Sequence, residues 1–143
     1  MSPLDLRFVR GGVYLPKLSL WLDPHQSQPG ADKVFVSHAH SDHVGVHREV
    51  ILSAPTAKLM RARLSGEWRE QILPFGQATR FEANGVPFDL TLLPAGHIFG
   101  SAMAHIQAGN SSLLYTGDFK LRQSLSAESC EPRPAEILIM ETT

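Results

Sequence analysis

Residues 34–43, Val-Phe-Val-Ser-His-Ala-His-Ser-Asp-His, constrain this chain more than any other stretch: an apolar, strand-like run delivers three histidines and an aspartate within six positions. Alternate residues of an extended segment share a face, so His38 and His40 can point at one ion. The turn that must follow swings Asp42 and His43 toward a neighbouring position, so one loop can serve two metals. Imidazole nitrogen and carboxylate oxygen suit zinc, and a His/Asp cluster without cysteine fits a catalytic site better than a structural one. A lone histidine would be read as an ordinary packed or surface residue; the His-X-His-X-Asp-His spacing after an apolar strand argues against that for this cluster.

Two later segments repeat the pattern. Leu92–Ala102 is an apolar run that carries His97 into a turn flanked by Gly96 and Gly100, glycines that would let the backbone approach an ion or substrate. Leu113–Lys120 places Asp118 just past another apolar run, where its two carboxylate oxygens could bridge two cations; alone it would be an ordinary turn aspartate. Upstream, Leu20-Trp21-Leu22 ends in Asp23, which could orient a ligating histidine from behind or simply cap a turn.

Short β-branched and aromatic runs predict strands over 12–15, 18–22, 33–37, 50–53, 86–93, 102–107, 112–116 and 137–140. One helix is predicted over Pro55–Leu64, stopped by Gly66, and a second short one near Asp42. Many strands with few helices between them imply mixed or antiparallel sheets with helices on their outer faces. The 143 residues amount to a single domain, and the apolar strand at the C-terminus, followed only by Glu141-Thr142-Thr143, reads as a chain cut from something longer.

Thirteen basic residues nearly balance fourteen acidic ones, so no whole-molecule field would draw the chain to nucleic acid or to an anionic membrane; any phosphate binding must be local. The single cysteine, Cys130, lies in a polar stretch and excludes an internal disulfide or a thiolate zinc cluster. With no apolar signal core at the N-terminus and no membrane-length apolar stretch, the expected compartment is the cytoplasm.

In order and spacing, Asp23, the 38–43 cluster, His97 and Asp118 resemble the first four motifs of the metallo-β-lactamase superfamily. Ala-Gly-His-Ile-Phe-Gly-Ser-Ala around His97, Gly-Asp-Phe-Lys at Asp118 and Met-Glu-Thr-Thr at the end are similar to its β-CASP nuclease branch, which includes ligase-associated DNA exonucleases and mRNA 3′-end processing nucleases. The resemblance runs from about Gly12 to Thr143 and implies an αββα sandwich of the α/β (α+β) class, present as its N-terminal portion, with the remaining strands and the β-CASP domain absent.

It further implies two zinc ions, the first held by His38, His40, His97 and Asp118, the second by Asp42, His43 and Asp118. Asp23 and Glu141 become supporting acidic residues, so that Asp23, Asp42, Asp118 and Glu141 form the catalytic carboxylate set. Family members complete the second zinc and supply a leaving-group histidine from segments beyond this stretch. The expected reaction is hydrolysis of a DNA or RNA phosphodiester by water whose pKa the two ions lower from about 15.7 toward about 7. Nucleic acid is then the partner, no membrane is involved, and a homodimer or a processing or repair complex would form through a longer protein.

Three rivals remain. Ser37 and Ser101 lie beside histidines, but no Gly-X-Ser-X-Gly elbow supports a serine mechanism. An ester, thioester or lactam hydrolase would use the same ligands in a different pocket. A non-catalytic subunit of a processing complex would have lost ligands, whereas all those due in this stretch are present. His25, His47 and His105 match no motif position and read as surface or packed residues, His105 being the nearest to an exception. The isolated 143 residues are expected to bind zinc weakly and to show little nuclease activity.

Overall fold

A computed structural model describes residues 2–9, 11–28, 30–40 and 45–141. Eleven strands among them form two sheets. The first has the order β1 (Arg7–Val9), β2 (Gly12–Leu15), β3 (Leu20–Leu22), β4 (Lys33–Phe35), β5 (Glu49–Leu52), β6 (Arg69–Ile72), antiparallel from β1 to β3 and parallel from β3 to β6. The second runs β11 (Ile137–Ile139), β10 (Ser111–Tyr115), β9 (Ala102–Ala108), β8 (Val86–Pro94), β7 (Thr79–Ala83), antiparallel except for the parallel β10/β11 pair.

The expected sandwich is present because each sheet has an apolar inner face. Leu20, Leu22, Phe35 and Ile51 of the first sheet meet Leu90, Leu92, Ala104 and Ile106 of the second in one core. The outer residues of the central strands, Val34, Val36, Val50 and Leu52, are also apolar, as parallel strands covered on both faces require. Helix α1 (Ala54–Arg63) covers them with Ala57 and Met60, one position earlier at each end than the spacing predicted. Ser53 caps it, its hydroxyl accepting from Thr56 N at 3.3 Å. Over the outer face of the second sheet, where a helix was expected, residues 119–135 run in irregular conformation, with Phe119, Cys130 and Ala135 against Leu93, Met103 and Leu114. The predicted short helix near Asp42 lies outside the described residues.

Four differences from the predicted strands have physical causes. The run 18–22 begins later, because Pro16–Leu18 form a 3-10 turn that Ser19 closes with a left-handed φ of 47°. β6 is missed because Arg-Glu-Gln-Ile is polar at an edge, and β1 is an edge of exposed residues. β7, absent from the predicted strands, forms a hairpin with β8 across Asn84-Gly85, both at positive φ (52° and 74°), a turn signal that stands in the sequence.

What positions the site is the direction of the strands. β3 and β4 run parallel and end at one rim; β8 and β10 of the opposite sheet both end there too, and β9 begins there. Ala102 N donates to Ser37 O at 2.8 Å, tying the two sheets together at that rim.

Candidate metal centre

The rim strands deliver their chemistry at their ends: β3 gives Asp23, β4 leads to Ser37, His38 and His40, β8 to His97, and β10 to Asp118. The three imidazoles stand nearly perpendicular to one another, with ring centroids 4.7 to 4.9 Å apart. His97 Nε2 lies 3.2 Å from His40 Nδ1, and Asp118 Oδ2 lies 3.5 Å from His38 Nε2 and 3.7 Å from His97 Nε2. All four ligand atoms fall within 4.8 Å of one another. A tetrahedral zinc with bonds of about 2.0–2.1 Å sets neighbouring ligands roughly 3.3–3.5 Å apart, so the spacing and the donor types both fit a divalent cation. His38 is wholly buried behind the cluster, whereas the side chains of His97 (28% exposed) and Asp118 (21%) leave the centre open toward solvent.

Behind His38 stands a hydrogen-bonded relay. Asp23 Oδ1 accepts from Ser37 N at 2.8 Å, and Oδ2 accepts from Ser37 Oγ at 2.5 Å and from Tyr115 OH at 2.9 Å. Since the Ser37 proton goes to the carboxylate, Ser37 Oγ can only accept from His38 Nδ1, 2.8 Å away. The imidazole is therefore protonated at Nδ1 and presents the Nε2 lone pair to the centre. Ser37 and Ser101 are both buried, which argues against either as a nucleophile; the Ser101 hydroxyl accepts from His97 N at 3.1 Å and Ile98 N at 3.2 Å. Burial, then the charge of and hydrogen bond to Asp23, then Glu141 and Asp118, push the Tyr115 hydroxyl far above its usual range, so it stays a donor.

Of the other expected site residues, Glu141 follows β11 to the same rim, where its N donates to Thr116 Oγ1 at 3.2 Å. Asp42 and His43 lie outside the described residues. Among the three unassigned histidines, His47 is buried and accepts from Gln28 N through Nδ1 at 3.0 Å. His105 sits on β9 opposite Leu114, and burial lowers its pKa, opposed by a hydrogen bond with the Pro134 backbone. His25 packs beside Gly11.

The glycines carry a correction. Gly96 and Gly100 were expected to admit an ion or substrate; instead a Cβ at Gly96 would lie 2.6 Å from Lys120 O, and one at Gly100 would lie 2.5 Å from Pro55 Cβ on α1. They admit the protein's own backbone and helix. Sequence reasoning missed Gly117, where a Cβ would fall 2.8 Å from both Cβ and Oγ of Ser37. It also left Tyr115 unassigned, whose partner Asp23 is 92 residues away, and Glu128, whose carboxylate accepts from Gly100 N at 2.7 and 3.0 Å.

This chain belongs to the metallo-beta-lactamase superfamily, whose family model matches residues 24–140. It is 53% identical over 142 residues to a probable DNA ligase of Opitutus terrae, covering 99% of this chain and 13% of the ligase. It is 33% identical to the transcription termination factor FttA of Methanothermobacter thermautotrophicus (84% of this chain, 24% of that protein). It is 37% identical to the 5′ exonuclease Apollo of Gallus gallus (69% and 22%). The chain thus spans under a quarter of the length of each of these relatives. Among the described residues no helix is long and apolar enough to cross a membrane.

Proposed function

We propose that the site is the first metal-binding half of a zinc-dependent phosphodiesterase of the β-CASP nuclease kind, which hydrolyses DNA or RNA. The observation that carries this reading is the convergence of His38, His40, His97 and Asp118 within 4.8 Å at the rim. Similarity to an exonuclease, Apollo, supports a nucleic-acid substrate. In this reading the four residues hold one zinc, and Asp42, His43 and Asp118 contribute to a second.

Bound there, the metal supplies the positive charge that a chain of net charge −1 lacks for a phosphodiester, and it lowers the pKa of water to about 7. The chain's own contribution is orientation. Asp23 and Ser37 keep the His38 proton on Nδ1; Tyr115 donates to Asp23 and so keeps that carboxylate an acceptor. Solvent exposure of His97 and Asp118 marks the side from which the phosphate arrives, and buried His38 closes the other. Glu141, at the end of β11, stands as a supporting acid on the same rim.

Single-stranded DNA and RNA labelled at either end, incubated with Zn2+ and the protein or its His40→Ala variant, test the reading. Cleavage reduced about a thousandfold in the variant is expected, the loss of a few kcal/mol of transition-state stabilisation. Turnover by the isolated 143 residues should be slow, and faster within a longer protein that completes the second ion. Equal cleavage by both forms, or hydrolysis of a thioester or β-lactam with no nucleic-acid cleavage, would overturn it.

A further inference from the structure

Helix α1 touches both of the turns that carry the cluster. At its N-terminus, Ser53 Oγ and Thr56 Oγ1 donate to Gly100 O at 2.6 and 3.1 Å, and Pro55 lies where a Gly100 side chain would be, so this end grips the His97 turn. At its C-terminal end, Arg63 Nη1 donates at 2.6 Å to Ala39 O, the carbonyl between His38 and His40. The intervening ten residues span about 15 Å as a rigid rod, pinned to the sheet by Ala57 and Met60. Arg63 is itself exposed, whereas Ala39 is buried, and a buried carbonyl calls for a hydrogen-bond donor such as the Arg63 guanidinium.

We infer that α1 is a brace setting the distance between the two ligand-bearing turns, with Arg63 the positioning residue that holds the 38–40 segment so that His40 Nδ1 faces His97 Nε2. The inference rests on the metal ligation proposed above. The charged donor holds the Ala39 carbonyl and thereby the direction in which the next side chain, His40, leaves the backbone. The neighbouring Arg61 provides an internal control: it pairs with Glu70 at 3.2 Å and bonds back to Ala57 O, so it is occupied within its own surroundings.

The test measures Zn2+ affinity of the 143-residue chain by competition with a chromophoric chelator, the visible absorption of the Co2+ form, and the urea midpoint in chelator. Arg63→Ala is expected to weaken Zn2+ binding about ten- to a hundredfold and to alter the Co2+ band, with the metal-free urea midpoint unchanged. Arg63→Lys should recover part of the affinity, because an ammonium offers the carbonyl a point donor without the planar fork. Arg61→Ala should match the wild type. Wild-type affinity and spectrum in Arg63→Ala, equal losses in Arg61→Ala, or an affinity loss matched by a lower metal-free midpoint would overturn the brace. Zn2+ binding that responds to Arg63→Ala, with no phosphodiester cleaved even by a longer protein that carries these residues, would remove the proposed function and leave the brace standing; cleavage with no response to Arg63→Ala would do the reverse. Failure to take up either metal would remove both.

Discussion

At the scale of single residues, the Asp23–Ser37–His38 relay makes the clearest demand. Ser37→Ala removes the acceptor for His38 Nδ1 and one of the donors to Asp23, so Zn2+ affinity should fall about ten- to a hundredfold in a chelator competition. Gly117→Ala should act on the same residue from outside, since the added methyl meets Ser37 and the backbone holds a φ of 53°; a loss of about 1–3 kcal/mol in urea unfolding is expected. His47 predicts a pH dependence. Burial lowers its pKa, partly opposed by the charge of Asp23, and a second proton on Nδ1 would face the N–H of Gln28. Between the lowered value and the ordinary histidine value of 6.5 the unfolded chain binds more protons than the folded one, so stability rises with pH there. This contribution is complete above 6.5 and lost as pH falls through the folded value. Urea midpoints in chelator should decline more steeply below about pH 6.5 for wild type than for His47→Gln, whose amide oxygen can still accept from Gln28 N. Parallel curves would refute the assignment.

At the scale of elements, α1 joins fold to site. Ser53→Ala removes both the cap and the bond to Gly100 O and should cost about 1–2 kcal/mol of stability by urea unfolding. Much of this level was legible in the sequence, and the reasons differ by element. β4 leads into an apolar run because both of its faces are covered, β8 alternates its inward Phe88, Leu90 and Leu92 with Asp89 and Thr91, and α1 announces itself by an early proline and an apolar stripe. β1 and β6 were not legible, because an edge strand with exposed or charged residues carries no periodic apolar signal. The convergence of His38, His40, His97 and Asp118 was implied by the family resemblance, whose motifs lie on three strand-to-turn transitions that the sequence displays. Ser37, Tyr115 and Arg63 were not legible, since their roles depend on which carboxylate or carbonyl lies beside them after folding, and nothing in their local sequence names that partner.

At the scale of the molecule, the near balance of thirteen basic and fourteen acidic residues bears on how the proposed nucleic-acid substrate would be held. Few phosphates can be neutralised by side chains, so affinity for an oligonucleotide should depend on the ion and only weakly on salt. In fluorescence anisotropy, chelator should abolish binding, and the slope of log K against log salt should be shallow compared with that of a protein making 6–10 phosphate contacts, about −5 to −9. A steep slope that survives chelation would place recognition on a basic surface instead. The bond from Ala102 N to Ser37 O, together with Tyr115 reaching across to Asp23, gives this centre a further property. Each half of the sandwich is latched to the other by groups outside the four-residue cluster, so an ion at His38, His40, His97 and Asp118 need not assemble the two sheets. Calorimetric titration should therefore record ligation heat with almost no heat-capacity change, unlike the coupled ordering of a zinc finger.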